Sequence, residues 1–140
     1  MPENPIFSEN SSLLSPTELD KISKLFVNNF QTNKIRLTGG EPLARKDFNE
    51  ILDNFKHEDY SGVNFGITTN GLLLHRYFQK LIDTRVTSVN LSIDSLVPEK
   101  FAFITRQPKS AAMKVFKNLD DILIPNVDKI TLNRVYAKFV

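Results

Sequence analysis

Cysteine and tryptophan are absent from this chain, and glycine is scarce, with only five among 140 residues. Without cysteine the chain can form no disulfide bond, thiolate zinc site, thiolate nucleophile or thiolate-held iron–sulfur cluster. No stretch approaches the roughly 18 uninterrupted apolar residues of a membrane-spanning helix, and the first 30 residues carry no signal-peptide or transit-peptide pattern. Lysine and arginine number 18 against 16 acidic residues, with no basic block, so we predict neither a nucleic-acid nor a membrane partner.

The residues that are present predict one small α/β unit over 1–140, with no linker or second domain, and its hydrophobic content of 41% is enough for a core. Residues 1–14 predict an irregular loop, after which Ser15, Pro16 and Glu18 predict a capped helix start. Helices and strands alternate from there, and connections of this length predict parallel strands, at about 34–38, 63–69, 86–93 and 130–135. The apolar stripes of the predicted helices are Leu19, Ile22, Phe26 and Phe30; Phe48, Ile51, Leu52 and Phe55; Leu74, Phe78, Leu81 and Ile82; and Met113, Phe116, Leu119 and Leu123.

The predicted strands alternate apolar and polar residues, although parallel strands covered by helices on both faces are usually apolar throughout. Because successive side chains point to opposite faces, Ile35 and Leu37 share one face and Lys34 and Arg36 the other. A barrel, or part of one, with a polar interior explains this pattern, and an open sheet with one solvated face is the alternative. A charged Arg36 on such a face is costly unless an anion pairs with it, so we predict that it binds a phosphate or a carboxylate. The same polar face also carries Asn64, Gly66, Thr68, Ser88, Asn90, Ser92 and Asp94.

The loops that follow the strands hold three of the five glycines, and ligand sites in such folds collect just past the carboxyl ends of the strands. Gly39 and Gly40 can expose main-chain N–H and C=O groups to a polar ligand. A tight turn leading into a helix is the alternative interpretation of this pair taken alone. Glu41-Pro42 directly behind it, and further polar loops at 68–71 and 92–95, favour a ligand site.

Several strings, in this order and spacing, resemble the MoaA family of radical S-adenosylmethionine (SAM) enzymes, the GTP 3',8-cyclases. They are Arg-Leu-Thr-Gly-Gly-Glu-Pro-Leu followed by Arg-x-Asp, then Thr-Thr-Asn-Gly-Leu-Leu-Leu, Val-Asn-Leu-Ser-Ile-Asp-Ser-Leu and Lys-Phe-x-x-Ile-Thr-Arg. The resemblance runs from Met1 to about Val135. It implies a partial (β/α)6 radical SAM barrel with helices on the outer face. It also implies conversion of GTP to (8S)-3',8-cyclo-7,8-dihydroguanosine triphosphate, in the first step of molybdenum cofactor biosynthesis.

The resemblance also implies site residues. Arg36 matches an arginine that contacts GTP, which agrees with the anion inferred for it from the strand pattern. Thr68 is implied as a second GTP contact, and Lys34 is a weaker candidate for the phosphates. Asn70 and Asp94 are interpreted as site-shaping, with a helix cap as an equal alternative for Asn70. SAM binding is implied for the main chain of Gly39, Gly40 and Glu41 and for Ser92.

The family's cofactors are SAM and a [4Fe–4S] cluster, and the family holds the cluster with three cysteines in a C-x3-C-x2-C loop. This chain has no cysteine, so we predict that it has no metal site, no catalytic residue and no activity alone. In the family Met-Pro-Glu follows the third cysteine, and this chain begins Met1-Pro2-Glu3. By the same resemblance the chain stops at Val140 after the fifth barrel strand, so we predict truncation at both ends. Thr131 stands where the family has a GTP-contacting lysine, and Lys129 lies nearby.

Two functions stay open at this point. The first is a fragment of a GTP cyclase, and the second is a non-catalytic isoform that binds SAM, GTP or the full-length protein. The family resemblance further implies a homodimer, a mitochondrial matrix location for a eukaryotic source and a cytoplasmic one for a bacterial source. The unpaired edges of a four-stranded sheet predict marginal folding or self-association. His57 and His75 have no second ligand at metal spacing and are predicted to be surface residues.

Overall fold

A computed structural model describes residues 13–126, residue 128 and, as backbone only, residues 131–136. Its helices are α1 (Pro16–Phe30), α2 (Phe48–Asn54), α3 (Leu74–Ile82), α4 (Pro98–Thr105) and α5 (Lys109–Asn118). Its strands are β1 (Lys34–Leu37), β2 (Asn64–Thr69), β3 (Val86–Ser92) and β4 (Thr131–Tyr136). A π-helical turn over Leu119–Leu123 extends α5.

The strands form one parallel sheet in the order β1-β2-β3-β4. An α/β fold with four parallel strands is therefore confirmed, and the sequential strand order is that of a barrel wall. The register sets Arg36 beside Gly66, Gly66 beside Ser88, and Thr68 beside Asn90. This alignment brings the polar residues of neighbouring strands into rows across the sheet.

The start of α1 follows the predicted chemistry. The Ser15 hydroxyl accepts a hydrogen bond from the Glu18 amide at 3.3 Å, and the Glu18 carboxylate accepts one from the Ser15 amide at 2.8 Å. These reciprocal bonds satisfy two N–H groups that have no partner within the helix. The helix ends at Phe30, and the capping residue Gln31 adopts a left-handed conformation with φ of 53°.

The hydrophobic core lies between the helices and the apolar face of the sheet. Phe65, Ile67, Val89 and Leu91 on that face are at most 1% exposed. The ring of Phe55 stacks on Phe65 with centroids 3.9 Å apart. The helices α2 and α3 bury the predicted stripe residues Phe48, Ile51, Leu52, Leu74 and Leu81. With its apolar side chains on this side, the sheet keeps polar side chains on the other.

The predicted buried stripe of α1 is wrong. Ile22, Phe26 and Phe30 are 43%, 47% and 66% exposed, and no residue of α1 is buried. Only Leu19 and Val27, both partly buried, pack against the core. The reason is that α1 packs mainly on α2 and the Glu58–Tyr60 turn, so it rests on the core along a narrow strip.

Two further helices depart from the sequence predictions. In α5 the buried residues are Ala112, Val115 and Asn118, whereas the predicted Met113 is 57% exposed. The helix α4 was not predicted, although Pro98 followed by Glu99 is a helix-start signal. Only Phe101 of this short helix is buried, so α4 has no repeated buried stripe.

Some predictions fall on residues outside the described ranges. They are residues 1–12 of the loop predicted over 1–14, the position of Lys129 and the side chain of Thr131. Within the described residues, no helix is both long enough and apolar enough to span a bilayer. The interpretation of 1–140 as one unit stays a prediction.

Candidate functional site

The candidate site is the polar face of the sheet. We define this face by Arg36 of β1, Gly66 and Thr68 of β2, and Ser88, Asn90 and Ser92 of β3. Ser88 and Ser92 are four residues apart along β3, or roughly 13 Å. The face is therefore long enough to hold a ligand with several polar groups.

Arg36 reaches across two strands on this face. Its Nη1 donates to the carbonyl oxygen of Ile67 at 3.2 Å, and its Nη2 donates to the Ser88 hydroxyl at 3.3 Å. Both acceptors are neutral, and among the ion pairs of the described residues none involves this half-buried guanidinium. A charge held in this way is suited to an anion, because charged hydrogen bonds to phosphate or carboxylate are the strong ones.

Gly66 makes this reach possible. A β-carbon at residue 66 would lie 2.6 Å from the Ser88 hydroxyl oxygen and 2.9 Å from both Cζ and Nη1 of Arg36. Real Cβ atoms do not approach so closely, so any other residue would displace the guanidinium or the serine. A glycine inside a strand marks a place where another group comes close to the backbone, and here that group is the Arg36 side chain.

The Glu41 side chain is engaged within the protein. Its Oε1 accepts from the Thr69 hydroxyl at 2.7 Å and from the Leu43 amide at 3.1 Å, and its Oε2 accepts from the Asn70 amide at 2.7 Å. The carboxylate thus ties the loop after β1 to the end of β2. This leaves the main chain of the loop, rather than the carboxylate, to meet a ligand.

Gly39 and Gly40 form the open part of that loop. Both are exposed, and no heavy atom lies within 4 Å of a β-carbon built on either of them. Gly39 has a φ of +144°, a conformation that side-chain-bearing residues rarely adopt. The backbone groups of this loop are therefore accessible, as a main-chain ligand site requires.

The loop after β2 is fixed by internal hydrogen bonds. The Asn70 side-chain oxygen accepts from the Leu72 amide at 3.0 Å, and the Thr69 hydroxyl accepts from the Gly71 amide at 3.1 Å. Asn118 of α5 donates to the Gly71 carbonyl at 2.7 Å. Asn70 therefore stabilises the turn that leads into α3, which favours the cap-like interpretation of this residue.

Arg45 and Asp47, the Arg-x-Asp part of the first string, anchor the other side of the Gly-Gly loop. Their side chains pair at 2.7 Å and 2.8 Å, and Arg45 also donates to the Leu14 carbonyl at 2.8 Å. The hydrogen bond from Arg45 holds the pKa of the Asp47 carboxyl below its usual value. The pair joins the loop to the residues that precede α1.

The other predicted site residues lie at different places on the sheet. Thr68 is half-buried beside Asn90, and Ser92 is exposed at the end of β3. Asp94 follows in the next loop and is half-buried. Lys34 is exposed at the start of β1, away from the loops that follow the strands, so the sheet groups it with Arg36 rather than with Gly39 and Gly40.

Sequence reasoning did not identify Gly66, Ser88 or Asn90 as site residues. Gly66 carried a usable signal, because a lone glycine in a strand interior indicates a close approach. Ser88 and Asn90 carried none beyond their place on the polar face, since the register that sets them beside Gly66 and Thr68 is a property of the folded sheet.

The cofactors implied by the resemblance fit the chain unequally. The Gly39-Gly40 backbone is open and Ser92 is exposed, so these groups are accessible to a polar ligand, as SAM binding requires. The cluster does not fit, because the sequence has no cysteine. The described residues also contain no group of three or more His, Asp or Glu side chains that could hold a metal.

Comparison with known proteins identifies the class of protein. The model of the Radical SAM superfamily matches residues 4–136, so the chain belongs to the radical SAM superfamily. Within it, the chain is 38% identical over 140 residues to Molybdenum cofactor biosynthesis protein 1 of Dictyostelium discoideum, covering 99% of this chain and 21% of that protein.

Two further relatives have a more specific name. The chain is 39% identical over 127 residues to the mitochondrial GTP 3',8-cyclase of Arabidopsis thaliana, covering 90% of this chain and 31% of that protein. It is 40% identical over 108 residues to the GTP 3',8-cyclase of Brucella ovis, covering 76% of this chain and 31% of that protein. The chain therefore spans between about a fifth and a third of the length of these relatives.

Proposed function

We propose that the polar face of this chain is part of the SAM- and GTP-binding surface of a GTP 3',8-cyclase of molybdenum cofactor biosynthesis. The names of the relatives support this proposal, and the observation that carries it is the state of Arg36. Its half-buried guanidinium donates only to neutral acceptors and points along the face on which Thr68 and Ser92 also lie. A triphosphate supplies the negative charge that this group lacks.

In this proposal each residue has a defined task. Arg36 binds a phosphate of GTP, with Lys34 contributing charge and Thr68 a hydroxyl from the same face. The main chain of Gly39, Gly40 and Glu41 binds the amino end of SAM, and Ser92 contacts SAM from β3. When bound, SAM supplies the precursor of the radical that gives the superfamily its name. The Glu41 carboxylate holds the loop in place by its bonds to Thr69 and Asn70.

Nucleotide binding by the 140-residue chain tests the proposal. We expect affinity to fall from GTP to GDP to guanosine and to fall as salt is raised, because the attraction is between charges. The Arg36→Gln variant should lose about 10-fold or more in GTP affinity, from the loss of a charged hydrogen bond. Arg76→Gln, at an exposed position of α3, is the matched control and should bind like the wild type. Equal binding of GTP and guanosine, or by Arg36→Gln and the wild type, would contradict the proposal.

A second candidate function is a non-catalytic module that binds SAM, GTP or the full-length protein. The absence of cysteine from the 140 residues is compatible with it, because this stretch supplies no thiolate for a cluster. Anaerobic reconstitution of the chain with iron and sulfide should therefore give no charge-transfer absorbance in the visible region. A stoichiometric cluster would refute this expectation.

A further inference from the structure

Asn90 holds an unsatisfied polar atom on the polar face. In the part of the chain that the structure describes, its Oδ1 is the one buried side-chain nitrogen or oxygen without a hydrogen-bond partner. Buried polar atoms in native proteins almost always have a partner, and leaving one unpaired costs free energy of folding. An exception of this kind calls for a specific explanation, and a binding role is one of those that native proteins provide.

The position of Asn90 favours a bound ligand as the explanation. Asn90 lies beside Thr68 of β2 and between Ser88 and Ser92 on β3. It is two residues from Ser88, to which Arg36 donates, and this is roughly 7 Å along the strand. A ligand whose anionic group meets Arg36 and which extends along β3 has its further polar groups within reach of Asn90.

The pairing of β3 with β4 is irregular beside Asn90. Val89 pairs with Leu132 of β4 but Asn90 pairs with Arg134, so β4 has one extra residue at this point. Such bulges recur next to active sites, where they change the direction of a side chain. The irregularity is a second observation, independent of the missing hydrogen bond, that marks the same residue.

A buried asparagine with a purely structural task looks different in this chain. Asn118 is 5% exposed and donates to the Gly71 carbonyl at 2.7 Å, fixing the loop after β2. Asn90 makes no such bond through its oxygen. Because rotation about the last side-chain bond of asparagine has broad, roughly two-fold minima, the oxygen can turn toward a ligand at little cost.

We propose that Asn90 is a ligand-binding residue whose side-chain oxygen accepts a hydrogen bond from a hydroxyl or amino group of a nucleoside bound on the polar face. The inference rests on the proposed function, in which two nucleosides, GTP and SAM, bind there. Bound ligand supplies the donor that the oxygen lacks, so Asn90 contributes to binding and reduces the stability of the unliganded fold.

The Asn90→Leu variant tests this by two effects of opposite sign. Thermal unfolding of the unliganded 140-residue chain should shift upward by about 3 °C, because an unpaired polar atom is replaced by an apolar group of similar size. Affinity for GTP or for SAM should fall about 10-fold. Two control variants distinguish this result from a general effect of replacing asparagine by leucine. Asn118→Leu should lower the unfolding temperature, because it leaves the Gly71 carbonyl unpaired, and Asn49→Leu, exposed on α2, should change neither quantity.

Ligand variants identify the donor without relying on a substituted protein. If the donor is a sugar hydroxyl of GTP, 2'-deoxy-GTP or 3'-deoxy-GTP should bind the wild type about 10-fold more weakly, and Asn90→Leu should lose nothing further with that analogue. If SAM supplies the donor, Asn90→Leu weakens SAM alone.

Lower stability of Asn90→Leu, or unchanged affinity for both ligands, would overturn the inference while leaving the Arg36 result intact. A wild-type chain that binds neither GTP nor SAM would overturn the proposed function and this inference together.

Discussion

The guanidinium of Arg36 lies across Gly66, in space that a side chain at residue 66 would take. A β-carbon there would be 2.9 Å from Arg36 Cζ, so the strand can carry this arginine over to Ser88 only because residue 66 has no side chain. The pair makes the anion-binding group of β1 depend on a residue of β2. A substitution at Gly66 of β2 should therefore weaken ligand binding by Arg36 of β1.

Substituting Gly66 by alanine should weaken GTP binding without affecting SAM. The added methyl group displaces the Arg36 guanidinium, which then loses its bonds to Ile67 and Ser88, and GTP affinity falls about 10-fold. Gly40→Ala is the matched change, because its β-carbon meets nothing within 4 Å and should leave the fold unchanged. The added methyl group lies on the loop that is proposed to bind SAM, so this variant should bind SAM more weakly and GTP like the wild type. Calorimetric titration of both variants with both ligands measures this. Equal losses for the two ligands in either variant would mean that the change acts through the fold.

Removal of the Glu41 carboxylate should destabilise the fold. Glu41→Ala leaves the Thr69 hydroxyl and the Leu43 and Asn70 amides without their acceptor, so we expect a loss of about 2–3 kcal/mol in the free energy of unfolding. Glu41→Gln keeps one acceptor oxygen and should lose less. Urea denaturation gives these values, and faster amide exchange at Asn70 locates the effect. Glu50→Ala, exposed on α2, is the control and should stay within about 0.5 kcal/mol of the wild type.

The sequence predicted the parts of the fold that local patterns determine. Strand alternation placed Arg36, Thr68 and Ser92 on one face, and the Ser15-Glu18 capping box is present with both of its hydrogen bonds. These succeed because side-chain alternation and helix capping depend on residues a few positions apart.

Other features depend on which elements meet in space. The sequence shows that Ile22, Phe26 and Phe30 share one side of α1, but whether anything covers that side is decided by packing, and in the structure all three are exposed. Asn90 is similar, because the missing hydrogen bond at its oxygen and the irregular pairing beside it are properties of the folded sheet that no local pattern encodes. The capacity of Gly66 to admit Arg36 likewise became visible only with the register.

Tyr60 should make the fold sensitive to alkaline pH. Burial raises the pKa of its hydroxyl above the ordinary 10.0, and a hydrogen bond to the Asp20 carboxylate, 2.8 Å long, raises it further. The unfolded chain therefore loses this proton before the folded chain does. Stability is complete below about pH 10 and falls as the pH rises above it, by up to about 1.4 kcal/mol per pH unit from this group.

Urea denaturation between about pH 8 and about pH 11 measures the Tyr60 effect. Tyr60→Phe should be less stable at neutral pH, because it loses the bond to Asp20, and its stability should decline less above pH 10. Tyr77→Phe on α3 is the control and should keep the wild-type slope. An unchanged slope in Tyr60→Phe would show that other groups cause the alkaline loss.

The exposed side of α1 should drive association of the chain with itself. Phe26 and Phe30 lie next to each other with ring centroids 5.5 Å apart, and together with Ile22 and Leu25 they form a continuous apolar strip. Contact between two such strips removes apolar surface from water, which favours association.

Size-exclusion chromatography with light scattering tests this association. The measured mass should rise with protein concentration, and the variant carrying Phe26→Gln and Phe30→Gln should stay closer to 16.0 kDa. Its stability should change little, because neither ring is buried. Phe103→Gln removes an exposed ring from α4 instead, so dispersal by this change and not by the α1 variant would place the contact elsewhere. The homodimer implied by the family resemblance stays a prediction that the same measurement tests.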